Sequence, residues 1–287
     1  MTSRHELLAG LHELVEPRGY LEIGAYTGQS LALSRTPSVA VDPVNRVTEP
    51  ISCDLEFVTA TSDDFFARPD PLRHLPDRVV DLAFIDGMHL FEFVLRDFIN
   101  VERHSHPGTV VVLDDMLPRN HEEAARERHT TAWTGDVFKM IPVLARYRPD
   151  LTCVPVDTTP TGTVLVLGLD RNSRVLSEAY DQIVAEWVTP DPQEVPPEIL
   201  GRTIAVAPAQ ALAPDFWRWL VAERARLRGG RAHQMVARRA TADLAGQEPA
   251  ALSPADRVLA LADATRRAIK PRTRWRRLRQ RIERRRR

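Results

Sequence analysis

The strongest constraint on this chain is an alternation that runs through its first 190 residues. Short, mostly apolar runs end in turn-forming residues, Gly, Asp, Pro or Thr-Ser, and several are followed by stretches with helical spacing. The runs are 20–23, 38–42, 56–60, 79–86 and 109–113. Leu7, Leu8, Leu11, Leu14 and Val15 share one helical face, and Leu90, Phe91, Val94, Leu95 and Phe98 share another. A strand apolar along its whole length is buried on both sides, and amphipathic helices between such strands supply the covers. The pattern predicts an α/β, Rossmann-like, doubly wound sheet, mostly parallel. Runs 151–156 and 163–167 are joined by a short Thr/Pro/Gly segment and predict an antiparallel edge hairpin, which makes seven strands.

A helix is expected over 172–187. Prolines at 190, 192, 196, 197, 208 and 214 then mark 189–214 as a linker or an extended wrap. Segments 215–228, 232–244 and 254–269 read as helices, and 272–287 as a further one. The expected organisation is a domain over 1–188, the Pro-rich linker, and a helical extension over 215–287. No apolar run reaches the roughly 20 residues that span a bilayer, and the first residues lack a signal-like stretch. Cys53 and Cys153 form no metal-spaced or CxxC motif. A cytoplasmic protein is expected.

The zero net charge conceals a division. Residues 266–287 carry 13 Arg or Lys and one acid, so the tail is strongly basic and the body correspondingly acidic. Trp275, Leu278 and Ile282 fall on one face of the tail, which suits a peripheral contact with an anionic membrane. A solvated terminus accounts for the charge equally well. Nucleic acid is not expected, because no aromatic stacking platform accompanies the arginines. The helices at 215–269 suit packing on the core or a homo-oligomer contact.

Gly24 and Gly28, in Leu21-Glu-Ile-Gly-Ala-Tyr-Thr-Gly-Gln-Ser-Leu31, allow a sharp turn and close approach to a ligand beyond the strand ends. Asp42 ends the second strand, where a carboxylate suits the two hydroxyls of a ribose. The loop lacks the GxGxxG spacing of a dinucleotide fingerprint, which disfavours a nicotinamide enzyme. Two glycines in an ordinary turn are a sufficient explanation of the loop taken alone. With its neighbours, it resembles the nucleoside-binding motif of class I S-adenosylmethionine-dependent methyltransferases. The form Glu-x-Gly-Ala-Tyr-x-Gly-x-Ser resembles the catechol O-methyltransferase group in particular.

That resemblance implies positions. Glu22 and the backbone of Gly24, Ala25, Tyr26 and Gly28 would line the methionine side of the cofactor. Ser30 would meet its carboxylate, Asp42 its ribose, and Ser62 and Asp63 its adenine. Asp63 serves equally well as an N-cap of the next helix. Asp86 ends the fourth strand, and Asp114 and Asp115 end the fifth. Neighbouring strands would bring these three carboxylates together, where they repel and raise one another's pKa. A divalent cation resolves such crowding. The resemblance places Mg2+ there, with Asp86 also touching the cofactor.

Asp86-Gly-Met-His89 together with Asp114-Asp115 also resembles bacterial methyltransferases that act on sugars and natural products. In that group the histidine is the general base, so His89 is the expected catalytic residue. Asp86 as a turn residue and His89 as a polar surface residue remain the plain alternatives. Segment 119–140 follows the aspartate pair and is placed to be a substrate lid. Trp133, Asp136 and Lys139 are its candidate acceptor contacts, and Asp136 is also a candidate cap for the next helix. The expected reaction moves a methyl group to a hydroxyl of a small polyhydroxylated acceptor. A metal-independent transferase, and a non-catalytic binding or scaffold protein on the same fold, are the competing readings.

Overall fold

The computed structural model describes residues 2–227 and 231–245. Seven strands form one sheet: β1 (Tyr20–Ile23), β2 (Ser38–Asp42), β3 (Leu55–Thr59), β4 (Leu82–Ile85), β5 (Val110–Leu113), β6 (Thr152–Val156) and β7 (Thr163–Leu167). Their order is β3-β2-β1-β4-β5-β7-β6. The five N-terminal strands pair in parallel, and β7 runs antiparallel to both β5 and β6. The doubly wound sheet with an antiparallel edge hairpin is as the apolar runs imply.

Each strand feeds two cores, because successive side chains point to opposite faces. Leu21, Ile23, Ala83, Ile85, Val111 and Leu113 enter one core. Tyr20, Leu82, Phe84, Val110 and Val112 enter the other. The first core is closed by α2 (Ser62–Phe66), α3 (Phe91–Arg103) and α4 (Met140–Tyr147). It is also closed by three short helices, α5 (Val175–Glu178), α6 (Tyr180–Trp187) and α7 (Pro197–Leu200). The second is closed by α1 (Arg4–Val15), α8 (Pro208–Ala211), α9 (Pro214–Glu223) and α10 (Ala232–Ala245).

Local signals explain the edges of these elements. A capping box, in which Ser3 Oγ accepts from the Glu6 amide and Glu6 accepts from the Ser3 amide, starts α1. The apolar face of α1, Leu7, Leu8, Leu11 and Val15, is wholly buried. Phe91, Val94, Leu95, Phe98 and Ile99 bury the face of α3. Leu90, its N-cap residue, offers no side-chain acceptor. Asp136 Oδ1 takes the Phe91 amide instead, at 2.9 Å.

Three expectations change. No α-helix follows β1; Leu31–Leu33 makes a single 3-10 turn. Pro37 and the start of β2 at Ser38 leave no room for more. Asp136 caps α3 rather than the helix after it. The helix expected over 172–187 is split at Ala179, which serves as C-cap of α5 and N-cap of α6. In segment 189–214, Val195, Ile199 and Ile204 are buried in the first core and Val206 and Ala211 in the second. The helices expected over 254–269 and 272–287 lie outside the described residues. Among the described residues no helix is long and apolar enough to cross a membrane.

The second core depends on a large side chain beyond the edge hairpin. Trp217 of α9 is fully buried, and its indole N–H donates to the Ala211 carbonyl at 2.9 Å. Trp217→Ala is expected to destabilise the fold by about 3–5 kcal/mol, the usual range for a large aromatic truncated in a core. Urea unfolding of the full chain measures it.

Candidate active site

The ends of β1, β2, β4 and β5 open into one cavity of about 920 Å³, lined by Gly24, Asp42, Ser62, Asp63, Asp86, His89, Asp115 and Trp133 among others. This is the edge where ligands bind in open α/β sheets. At one end of the cavity the Asp42 carboxylate accepts the Tyr26 amide at 3.1 Å and the Val44 amide at 2.9 Å. These bonds fix the carboxylate and leave it further acceptor capacity. Ser62 lines this end, and the α2 cap is Thr61, whose hydroxyl accepts the Asp64 amide. Asp63 is therefore not the N-cap. Asp63 lines the cavity, and its carboxylate pairs with Arg96 at 2.6 Å.

Glu22, Ala25, Gly28 and Ser30 support this end from below without lining the cavity. Glu22 is completely buried and accepts from Tyr20 Oη and Ser30 Oγ, both at 2.6 Å. The Ser30 hydroxyl is thus engaged with Glu22. Burial pushes the Glu22 carboxyl up to about 8, against the pull of those two donors.

The chain from Asp86 to His89 is held between two glycines. A Cβ on Gly24 would lie 2.0 Å from the Asp86 carbonyl oxygen. One on Gly135 would lie 1.6 Å from the His89 carbonyl oxygen. Both glycines have positive φ, +87° and +61°, which L side chains seldom adopt. His89 and Asp115 also sit in the left-handed region, at φ 57° and 62°. Such conformations cost on the order of 1–3 kcal/mol and persist where the surroundings over-determine them. At Asp115 the consequence is visible: two consecutive aspartates have different partners.

Asp115 contacts His89 Nδ1 at 2.9 Å and accepts a short hydrogen bond from the Thr161 hydroxyl. His89 Nε2 is 3.3 Å from Asp86 Oδ1. Asp114 instead pairs with Arg4 at 2.5 Å, and Arg4 lies 3.7 Å from Asp86. Arg4 opens α1 and reaches the cluster from far away in sequence. Burial opposes a charge on His89, but the Asp115 and Asp86 carboxylates outweigh it and hold the imidazole well above its ordinary value. Burial, with Asp115 and Asp86, pushes Asp114 well up although Arg4 pulls it down. Burial works against Asp115 as well, but His89 and Thr161 keep its carboxyl below the usual range.

Ligand atoms of Asp86, His89 and Asp115 lie within 4.8 Å of one another, and Asp114 is not in that group. Asp86 Oδ1 is buried and has no hydrogen-bond partner. A buried carboxylate oxygen that accepts no hydrogen bond, close to a second carboxylate and an imidazole, is a donor set that a divalent cation fits. Of the expected trio, Asp86 and Asp115 lie together with His89, while Asp114 pairs with Arg4.

Segment 119–140 is tied down. The Trp133 indole donates to the Ala125 carbonyl at 2.6 Å, and its ring stacks on His89 with centroids 5.2 Å apart. Of the candidate acceptor contacts, Trp133 lines the cavity. Asp136 and Lys139 do not line it. Asp136 is fully buried between Arg126 and Lys139, each at 2.8 Å, and holds the start of α3. These two residues position His89 and Trp133 through the backbone.

Sequence reasoning missed Arg4 and Asp97. Arg4 gives no local signal, because it reads as an ordinary first-turn residue. Asp97 interrupts the apolar stripe of α3 between Leu95 and Phe98, which is a signal. Asp97 is buried at the cavity wall, one of its oxygens is unpartnered, and burial pushes its carboxyl up to about 7.

Residues 21–116 match a family model described as a methyltransferase domain. The matched segment carries the glycine loop, Asp42, Asp86, His89 and both aspartates that follow β5. No curated protein matches the chain. Solved structures resemble it at low identity. A cofactor-bound protein from MTB, Rv0187, is 18% identical over 57% of this chain and 78% of its own, with TM-score 0.45. A Bacillus cereus O-methyltransferase in complex with SAH is 16% identical over 58% and 80%, with TM-score 0.44. The O-methyltransferase TomG from Streptomyces achromogenes, involved in tomaymycin synthesis and in complex with SAM, is 22% identical over 57% and 78%, with TM-score 0.43.

The buried Glu22 makes a pH prediction. Its folded-state value of about 8 lies above the ordinary 4.5, so between these values the folded chain binds more protons than the unfolded one. Stability from this group is present below about 4.5 and is lost as pH rises toward about 8. Glu22→Gln is expected to lose less stability between pH 5 and pH 8 than the native chain. Urea midpoints at the two pH values measure the difference.

Proposed function

We propose that this chain is an S-adenosylmethionine-dependent O-methyltransferase that acts on a hydroxyl of a small polyhydroxylated acceptor, a sugar or a glycosylated natural product. The observation that carries the reading is the shared cavity. It brings Gly24, Asp42 and Ser62, suited to a nucleoside cofactor, beside the Asp86–His89–Asp115 cluster, suited to a hydroxyl. Its volume of about 920 Å³ has room for a cofactor with a small acceptor. The resemblance of Trp-Thr-Gly-Asp-Val-Phe-Lys, around Trp133, to sugar and natural-product methyltransferases supports the acceptor class.

The reaction joins the acceptor oxygen to the methyl carbon as the carbon–sulfur bond breaks. The sulfonium leaves as a neutral thioether, and the hydroxyl proton goes to a base. Holding the two reactants in line is worth roughly 7–11 kcal/mol at best. Asp42 would fix the ribose end. Ser62 and Asp63 would meet the adenine, and the turn at Gly24–Tyr26 would approach the methionine end. Trp133, stacked on His89, walls the cavity and keeps water from the transfer.

Asp86 and Asp115 would hold Mg2+, whose charge acidifies a hydroxyl bound to it. His89 is the proposed base. In the free protein the Asp86 and Asp115 carboxylates favour the protonated imidazole. A positive charge beside those carboxylates would weaken their hold on the proton and favour the neutral imidazole that a general base needs. Arg4 is the observation that favours a second reading, without metal. Its guanidinium already supplies positive charge to Asp114 and Asp86. The Arg-rich tail, with the proposed peripheral membrane contact, lies outside the described residues. The division into a domain over 1–188, a linker over 189–214 and an extension over 215–287 remains a proposal, as does a homo-oligomer.

Calorimetry with S-adenosylmethionine, with and without Mg2+, is the first test, and binding is expected. A chain that binds none is no methyltransferase, and a scaffold reading replaces this one. Release of S-adenosylhomocysteine on a panel of glycosylated hydroxyl acceptors then measures turnover. EDTA is expected to abolish turnover, and unchanged turnover would establish the metal-free reading. His89→Ala is expected to lower kcat by about 10²–10⁴, the usual range for a general base, with cofactor affinity kept.

A further inference from the structure

Arg4 is built into the site rather than draped over it. Ser3 forms a bridge with Thr159, the Arg4 amide donates to the Thr159 carbonyl at 3.3 Å, and the Thr159 amide donates to the Thr2 carbonyl at 3.0 Å. Two residues on, Thr161 donates to Asp115. One connection, between β6 and β7, therefore places both Arg4 and Asp115. The capping box fixes the first turn of α1, so the Arg4 backbone is held at both of its ends. The Asp114 side chain, 1% exposed, has Arg4 as its salt-bridge partner at 2.5 Å. A guanidinium does not lose its proton in a protein. It is a permanent cation next to the place where a second cation would bind.

We propose that Arg4 is the resident counter-cation of Asp114 and withholds this aspartate from the metal shell. A divalent cation is then held by Asp86 and Asp115, beside His89, at an affinity that Arg4 lowers. This inference rests on the cation reading of the site. It differs from an arrangement in which both terminal aspartates are ligands. Arg4 and Asp114 form a neutral unit, so removing one member changes the charge met by the metal, and removing both restores it. Asp114 without Arg4 adds an unbalanced carboxylate. Arg4 without Asp114 is free to turn to Asp86, already only 3.7 Å away.

The test is Mn2+ binding to the full chain by calorimetry, on the native protein, Arg4→Gln, Arg4→Lys, Asp114→Asn and the Arg4→Gln/Asp114→Asn double variant. Circular dichroism melts confirm that each is folded. Arg4→Gln is expected to bind Mn2+ at least about tenfold more tightly, since like charges a few ångströms apart still repel strongly inside a protein. Asp114→Asn is expected to bind more weakly, the double variant within about threefold of native, and Arg4→Lys close to native. Equal losses in Asp114→Asn and the double variant would make Asp114 a ligand and overturn the proposal. So would unchanged affinity in Arg4→Gln. Binding to Arg4→Gln but not to the native chain would overturn the proposal that the native site holds the cation. Binding to no variant would overturn both.

Discussion

Three buried or half-buried carboxylates at the ends of two adjacent strands need positive charge, and the fold is arranged to bring it. Asp86, Asp114 and Asp115 are close because β4 and β5 pair in register, Ile85 opposite Leu113. In a low-dielectric wall their repulsion would be large. Arg4 comes from the start of α1, and His89 from the turn before α3. Each cation depends on a distant support: Arg4 on Thr159 between β6 and β7, and His89 on Gly135 and Trp133 of the segment after β5. The site therefore ties the β6–β7 edge of the sheet and both covering layers together.

The supports are polar and buried. Asp136 holds the α3 amide, Arg126 and Lys139 in one knot, and Arg126 also pairs with Glu92 at 2.6 Å. A network of this kind is stable only when complete, because a partner left alone in the interior is costly. It fixes the backbone behind His89 and Trp133 without exposing a charge to the cavity. The buried carboxylate oxygens of Asp86 and Asp97 that accept no hydrogen bond, Oδ1 of each, lie at the cavity itself.

The sheet was legible because strands buried on both faces are mostly apolar, with Glu22 the buried exception in β1. β1, β2 and β7 coincide with their apolar runs, and Gly24, Asp42 and Asp86 mark the ends that open on the cavity. That Asp86 and His89 come to one edge was legible too, because they are close in sequence and lie on a strand-to-helix turn. What stayed hidden is set by long-range contact. Nothing near Arg4 announces that it will reach Asp114. Asp136 was expected to cap the following helix, yet a helix accepts any carboxylate that packs against its first turn, and tertiary packing brought it to α3. Glu22 and Ser30 match a cofactor motif in sequence, but they bond to each other beneath the loop. A motif names residue types, while burial decides which of them meet a ligand.

The central claim is that the Asp86–His89 turn is a chemical centre and more than a strand end. The most direct measurement is a crystal of the full chain grown with Mn2+ and S-adenosylhomocysteine, with anomalous difference maps at the manganese edge. The account predicts a peak bonded to Asp86 and Asp115, the nucleoside against Asp42 and Ser62, and Asp114 still paired with Arg4. A nucleoside bound elsewhere, or bound here with no anomalous peak at Asp86 and Asp115, would contradict it.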